Sequence, residues 1–192
     1  MMGFGSKFFG YLAAFGLVVG LGWILLPEGW NTLIALYSPY FGNYVRPLAV
    51  MASLLLLNPL TNFLSLGIWV GAGFIGGVIA GTKKGAFVVG FMAWISCLVL
   101  TVFSVYMLMM GGFNPLALPP VPPGYSLADL LSIPLVSDLL STLLSVMGGF
   151  AGGGGASLNL FSIIAPFLVF VFAPVIAIVV GGIIGAVVRP KE

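Results

Sequence analysis

The sequence predicts an all-α integral membrane protein, built as a glycine-rich bundle of about four transmembrane helices. Hydrophobic residues make up 61% of the 192-residue chain and charged residues only 5%. A soluble domain is roughly half apolar and about a quarter charged. The mean hydropathy is +1.25, and every charged residue lies outside the long apolar runs. Lipid must therefore cover most of the surface, and the chain forms a single membrane domain over 1–192.

Four apolar runs are long enough to cross a bilayer, which takes about 20 helical residues. They cover 8–26, 63–81, 86–110 and 159–188. We interpret the first as a retained span rather than a cleaved signal peptide, because no small-residue cleavage site follows it. The fourth is longer than a ~30 Å hydrocarbon core at ~1.5 Å per residue, so it should tilt, kink or begin in the interface.

The charges orient the predicted spans. With four crossings, one side of the membrane carries most of the cations, namely Lys7, Lys83, Lys84, Arg189 and Lys191. The other side carries Glu28, Arg46, Asp129 and Asp138. Since lysine and arginine accumulate in cytoplasmic segments, we predict a multi-pass protein of the cell membrane with both termini cytoplasmic. Arg46 is the exception to this pattern.

The external segments 27–62 and 111–158 are unusually apolar. The stretch 47–57 is too short to cross a bilayer alone and too hydrophobic for water. Either it lies in the interface, or it pairs with 30–44 as additional membrane-buried structure. A bundle of six spans that uses both pieces is the alternative topology.

The chain also reads as two halves, 1–84 and 85–192, with the same plan. Each half has a first span, then an external Asn-Pro-Leu sequence, then a second span. The second span contains a Gly-Gly pair and is followed by basic residues. Both halves start on the same side, so they would form a parallel repeat about an axis along the membrane normal. The alternative is chance, because Gly-Gly and Asn-Pro are common in such chains.

Glycines spaced four residues apart are the clearest local motif. Small residues at this spacing let two helix backbones approach closely, which drives helix association in lipid. The predicted packing or partner positions are Gly67, Gly71, Gly73, Gly77, Gly81, Gly181 and Gly185, and Gly16 and Gly20 share the spacing. They serve either packing within the bundle or contact with a partner chain.

The segment 137–147 is predicted to be an amphipathic helix. Leucines and Met147 share one face, and the other carries Ser137, Asp138, Ser141, Thr142 and Ser145. It fits an interfacial helix, but interfacial helices usually carry lysine or arginine on the polar face, and this one has none. The alternative is a re-entrant helix whose hydroxyl face lines a cavity.

The composition leaves little catalytic chemistry. The chain has no histidine and a single cysteine, so neither a transition-metal cluster nor a histidine-activated nucleophile is available. Its six scattered cations do not form a nucleic-acid surface. We predict a protein that is not an enzyme and has no cofactor or metal.

Two functions from different classes fit these features. The first is a structural or assembly subunit of a larger membrane complex, with other membrane subunits or further copies of itself as partners. The second is a channel or transporter for a small neutral or apolar solute. Carriers coupled to ions usually hold ionisable groups at membrane depth, and no such group lies in the apolar runs.

Overall fold

A computed structural model describes residues 4–55, 62–112, 120–133, 136–137, 140–141 and 160–190, with the backbone alone at residue 4 and over 160–171. Within these ranges all regular secondary structure is helical. The long elements are α1 (Phe4–Ile24), α2 (Glu28–Phe41), α3 (Val45–Leu55), α4 (Phe63–Ala80), α5 (Lys83–Met110) and α6 (Leu160–Val188). Short 3-10 helices cover Gly42–Tyr44 and Leu127–Ser132. The all-helical prediction is confirmed.

Three helices, α1, α4 and α5, are long and apolar enough to cross a membrane. The backbone of α6 continues as a helix of 29 residues through both of its prolines. Its described side chains cover only Phe172–Val188, an apolar stretch shorter than a span. The count of four crossings therefore stays a prediction.

Local capping explains the sharp turn between α4 and α5. Gly81 ends α4 in the left-handed conformation at φ 69°, which a residue with a Cβ rarely adopts. Its N–H donates to the Gly77 carbonyl at 2.8 Å. Thr82 then caps α5 by accepting from the Gly85 N–H at 3.1 Å. Gly81 and Thr82 join the two helices, and because α4 and α5 also pack side by side, they run antiparallel.

The contacts between helices fix the other directions. Lys7 of α1 lies beside Gly85 near the start of α5, and Tyr11 bonds to Ser96 further along it, so α1 and α5 run parallel. Similarly, α4 and α6 run parallel, as the residue pairs between them show below.

With these directions, four of the described cations lie at one end of the bundle, which we call the basic end: Lys7, Lys83, Lys84 and Arg189. At the opposite end, the Arg46 guanidinium stacks over the Trp23 ring at 4.8 Å from its centroid. Glu28 also lies at that opposite end, just after α1.

Helix α3 is buried inside the bundle. Val50, Met51 and Leu54 are almost inaccessible and belong to the main hydrophobic core with residues of α1, α4, α5 and α6. The Trp69 Nε1–H donates to the Leu54 carbonyl at 3.0 Å. The described part of the short apolar stretch, 47–55, is therefore largely covered by protein, with α2 packed beside it.

Candidate packing and partner surfaces

The closest helix contact joins α4 to α6, and glycine lines both sides of it. A Cβ added at Gly73 would overlap the Ile178 backbone, and one added at Gly77 would overlap the Gly182 backbone. Residue numbers rise together along this contact, so the helices are parallel. Both backbones touch directly, which is the geometry expected when van der Waals contact replaces the hydrophobic effect.

The same close approach exists from the α6 side. A Cβ on Gly181 would overlap the Val70 backbone, and one on Gly185 would overlap that of Phe74. Four of the seven predicted packing positions thus meet in one interface within the chain.

A second glycine contact joins α4 to α1. The Gly76 Cβ position lies 2.9 Å from Ala14 Cβ and 3.0 Å from the Gly10 carbonyl oxygen. Neighbouring residues of a helix point about 100° apart, so the adjacent Gly76 and Gly77 serve two different neighbours. Sequence reasoning did not select Gly10, although Gly10 and Ala14 have the same small-residue spacing as the selected pairs.

The remaining predicted glycines have different surroundings. Gly81 is the helix terminator described above. Around the Cβ positions of Gly67 and Gly71, no described atom lies within 4 Å. The same holds for Gly16 and Gly20 on α1. These two pairs therefore contribute no close helix contact within the described chain.

Two apolar grooves between helices are formed by residues that the structure describes. The α1–α5 groove, at the basic end, has a volume of about 340 Å³ and is lined by Lys7, Phe8, Tyr11, Val88, Val89, Met92 and Ser96. The α2–α3 groove has a volume of about 320 Å³ and is lined mainly by aromatic and aliphatic side chains of α2 and α3, with Leu108 and Val136.

The predicted hydroxyl face falls largely outside the described residues. Ser137 and Ser141 are described, are helical and are exposed. Asp138, Thr142 and Ser145 lie outside the described residues, as do both Asn-Pro-Leu sequences of the proposed repeat. The cavity-lining interpretation therefore stays a prediction, and so does the repeat.

Asp129, one of the described acidic residues, has a structural role. The Asp129 carboxylate accepts from the Ser126 N–H at 3.1 Å and from the buried Thr32 hydroxyl at 3.3 Å. It thereby caps the 3-10 helix Leu127–Ser132 and ties it to α2. The sequence alone did not predict these contacts.

Cys97 is fully buried in the main core. Within the described ranges, no three potential metal ligands of the His, Cys, Asp or Glu type cluster together.

Comparison with known proteins gives no relative. No family model matches the chain, and neither a curated protein nor a solved structure matches it.

Proposed function

We propose that this protein is a non-catalytic, multi-pass membrane protein that acts as a structural or assembly subunit of a larger membrane complex. In this proposal α1, α4, α5 and α6 cross the cell membrane, the basic end is cytoplasmic, and both termini lie on the cytoplasmic side. Other membrane subunits, or further copies of the chain, occupy surfaces that the bundle itself leaves uncovered.

The outer surface supports the membrane placement. Helix α5 exposes apolar side chains along most of its length, from Phe87 near the basic end to Met110 at the other. Large apolar patches on soluble monomers rarely exceed a few hundred Å², so a helix with such a face needs lipid or protein around it. The cations at one end fit the excess of lysine and arginine on the cytoplasmic side.

One observation carries the subunit proposal: another helix of the described chain covers some of the glycine pairs and leaves others uncovered. The α6 backbone packs against Gly73 and Gly77. In contrast, no described atom lies within 4 Å of the Cβ positions of four other glycines, namely Gly16, Gly20, Gly67 and Gly71. A flat small-residue surface in lipid gains contact only when another helix covers it. The unused pairs are therefore the positions where a partner helix would fit.

The test is purification of the native protein in mild detergent, followed by native mass spectrometry. We expect other chains, or further copies, at fixed stoichiometry. In the variants Gly16→Ile and Gly67→Ile a branched side chain would separate the partner helix, so the partner should be lost while the single chain melts as before. Val99→Ile, at an exposed position outside these pairs, is the control and should keep the partner. A wild-type protein that is always a monomer would contradict the proposal.

The alternative of a channel or transporter depends on the hydroxyl face of 137–147. A homo-oligomer without foreign subunits in the same experiment would favour it. Permeability of reconstituted liposomes to a panel of neutral solutes would then be the measurement, and tight liposomes would argue against a pore.

A further inference from the structure

We propose that the α1–α5 groove binds one anionic phospholipid, with its headgroup beside Lys7 and an acyl chain along Tyr11 and Met92. This inference rests on the proposed membrane placement and adds a specific ligand to it. Three properties of the groove carry the argument: its length and opening, the state of its polar atoms, and the charge at its mouth.

The groove has the depth of one lipid leaflet. Its mouth is at Lys7, whose Cε lies 3.7 Å from the Cβ position of Gly85, and its far end is at Ser96. At ~1.5 Å per residue, the stretch of α5 from Gly85 to Ser96 covers roughly 16 Å, close to half of a ~30 Å hydrocarbon core. Val88 and Met92 are 45% and 47% exposed, so the groove opens sideways, where an acyl chain can enter from the bilayer.

The polar atoms at the far end are already paired. The Ser96 hydroxyl donates to the Met92 carbonyl at 2.9 Å, and the Tyr11 hydroxyl and Ser96 Oγ are 2.9 Å apart. Because the Ser96 hydrogen is engaged with Met92, Tyr11 is the donor in that pair. Neither hydroxyl hydrogen is left for a ligand, so this end of the groove suits a hydrocarbon chain better than a polar solute.

The charge at the mouth favours an anionic headgroup. Lys7 lines the groove, and Lys83 and Lys84 begin the helix that forms its other wall. The acidic side chains that the structure describes, Glu28 and Asp129, belong to the opposite end of the bundle. Each lysine near a membrane surface contributes about a fivefold preference for anionic lipid. Lys7 with one neighbouring lysine should therefore favour an anionic over a zwitterionic lipid by at least about tenfold.

The test compares two lipids with identical acyl chains. Detergent-purified protein is titrated with phosphatidylglycerol or phosphatidylcholine, and bound lipid is counted by native mass spectrometry. We expect one phosphatidylglycerol to bind at least about tenfold more tightly than phosphatidylcholine. Lys7→Gln should reduce phosphatidylglycerol affinity about fivefold with phosphatidylcholine unchanged, and Met92→Trp, which fills the groove, should weaken both.

Two matched variants serve as controls. Arg189→Gln removes a cation of the same end that does not line the groove, and Val102→Trp adds the same bulk at an exposed position of α5 outside it. Both should bind lipid like the wild type. Equal affinity for the two lipids, or equal loss in Met92→Trp and Val102→Trp, would overturn the assignment.

A photoreactive amino acid in place of Met92 identifies the occupant in the native membrane. A lipid adduct supports the proposal, whereas a protein adduct assigns the groove to a partner helix and overturns it. Failure of the membrane placement is distinguishable, because the protein would then appear in the soluble fraction without detergent. A detergent-extracted protein that binds both lipids equally refutes the lipid site alone.

Discussion

Replacing Gly77 by alanine tests the central contact of the bundle. The added Cβ would lie 2.7 Å from the Gly182 carbonyl carbon, whereas ordinary van der Waals contact begins at 3.4 Å. Backbone atoms form both sides of this contact, so no change of side-chain rotamer relieves the overlap. Helices α4 and α6 must therefore separate by about 1 Å. A gap of roughly 0.5–1 Å loses a quarter to a half of the attraction at each facing atom pair.

We therefore expect Gly77→Ala to cost about 3 kcal/mol, the upper end of the ~1–3 kcal/mol range for overpacked cores. At roughly 2–4 °C per kcal/mol for a chain of this size, the melting temperature in detergent should fall by about 6–12 °C. Gly71→Ala is the matched control on the same helix, since no described atom lies within 4 Å of its Cβ position. In the single chain, purified free of any partner, alanine there should be neutral, or stabilising by up to about 1 kcal/mol, because it restricts the unfolded chain.

The measurement is thermal unfolding of both variants in the same detergent, with helix content followed by circular dichroism. Equal melting shifts for Gly77→Ala and Gly71→Ala, or a Gly77→Ala protein as stable as the wild type, would refute the reasoning. Such a result would mean that the α4–α6 contact is not close enough for glycine to matter.

Two further predictions use tryptophan contacts. Trp69→Phe removes the hydrogen bond from Nε1 to the Leu54 carbonyl and should cost about 2 kcal/mol, because a buried acceptor loses its donor. Trp94→Phe, whose Nε1 has no partner in the described structure, should cost less in the same unfolding titration. Arg46→Gln removes the cation stacked on Trp23 and should cost about 0.5–1 kcal/mol. An unchanged unfolding midpoint in Arg46→Gln, or equal costs for the two tryptophan variants, would contradict these assignments.

Much of the helical layout was predictable from the sequence. The apolar runs at 8–26, 63–81 and 86–110 correspond to α1, α4 and α5, with ends that differ by a few residues. Those differences have local causes. Helix α5 begins at Lys83, before the apolar run at 86–110, because Gly81 can end α4 with a positive φ and Thr82 can cap the next helix.

The burial of α3 was not predictable from the sequence. A short apolar run has the same composition whether it lies on a membrane surface or in a core. Which of these two environments the run occupies depends on tertiary contacts such as the hydrogen bond from Trp69 to Leu54. The sequence does not indicate that pairing, since neither residue belongs to a recognisable motif.

The glycine surfaces were predictable as a set but not one by one. Spacing identifies Gly71 and Gly77 equally well, yet only Gly77 lies against another backbone in the described chain. Which side of α4 faces α6 depends on the rotation of the helix about its axis, which is set by all its neighbours together. The spacing rule states that a close approach is possible, and only the assembled bundle shows where it happens.

The parallel pairing of α4 with α6 has a consequence for biosynthesis. A ribosome adds about 5–20 residues per second, so Gly182 is made roughly 5–20 s after Gly77, which lies on the order of 100 residues earlier. During that interval the α6-facing side of α4 has no partner from its own chain, and α4 can be held only by neighbours already made, such as α1 through Gly10 and Gly76. Among the described helices that contact α4, α6 is thus the last to be made.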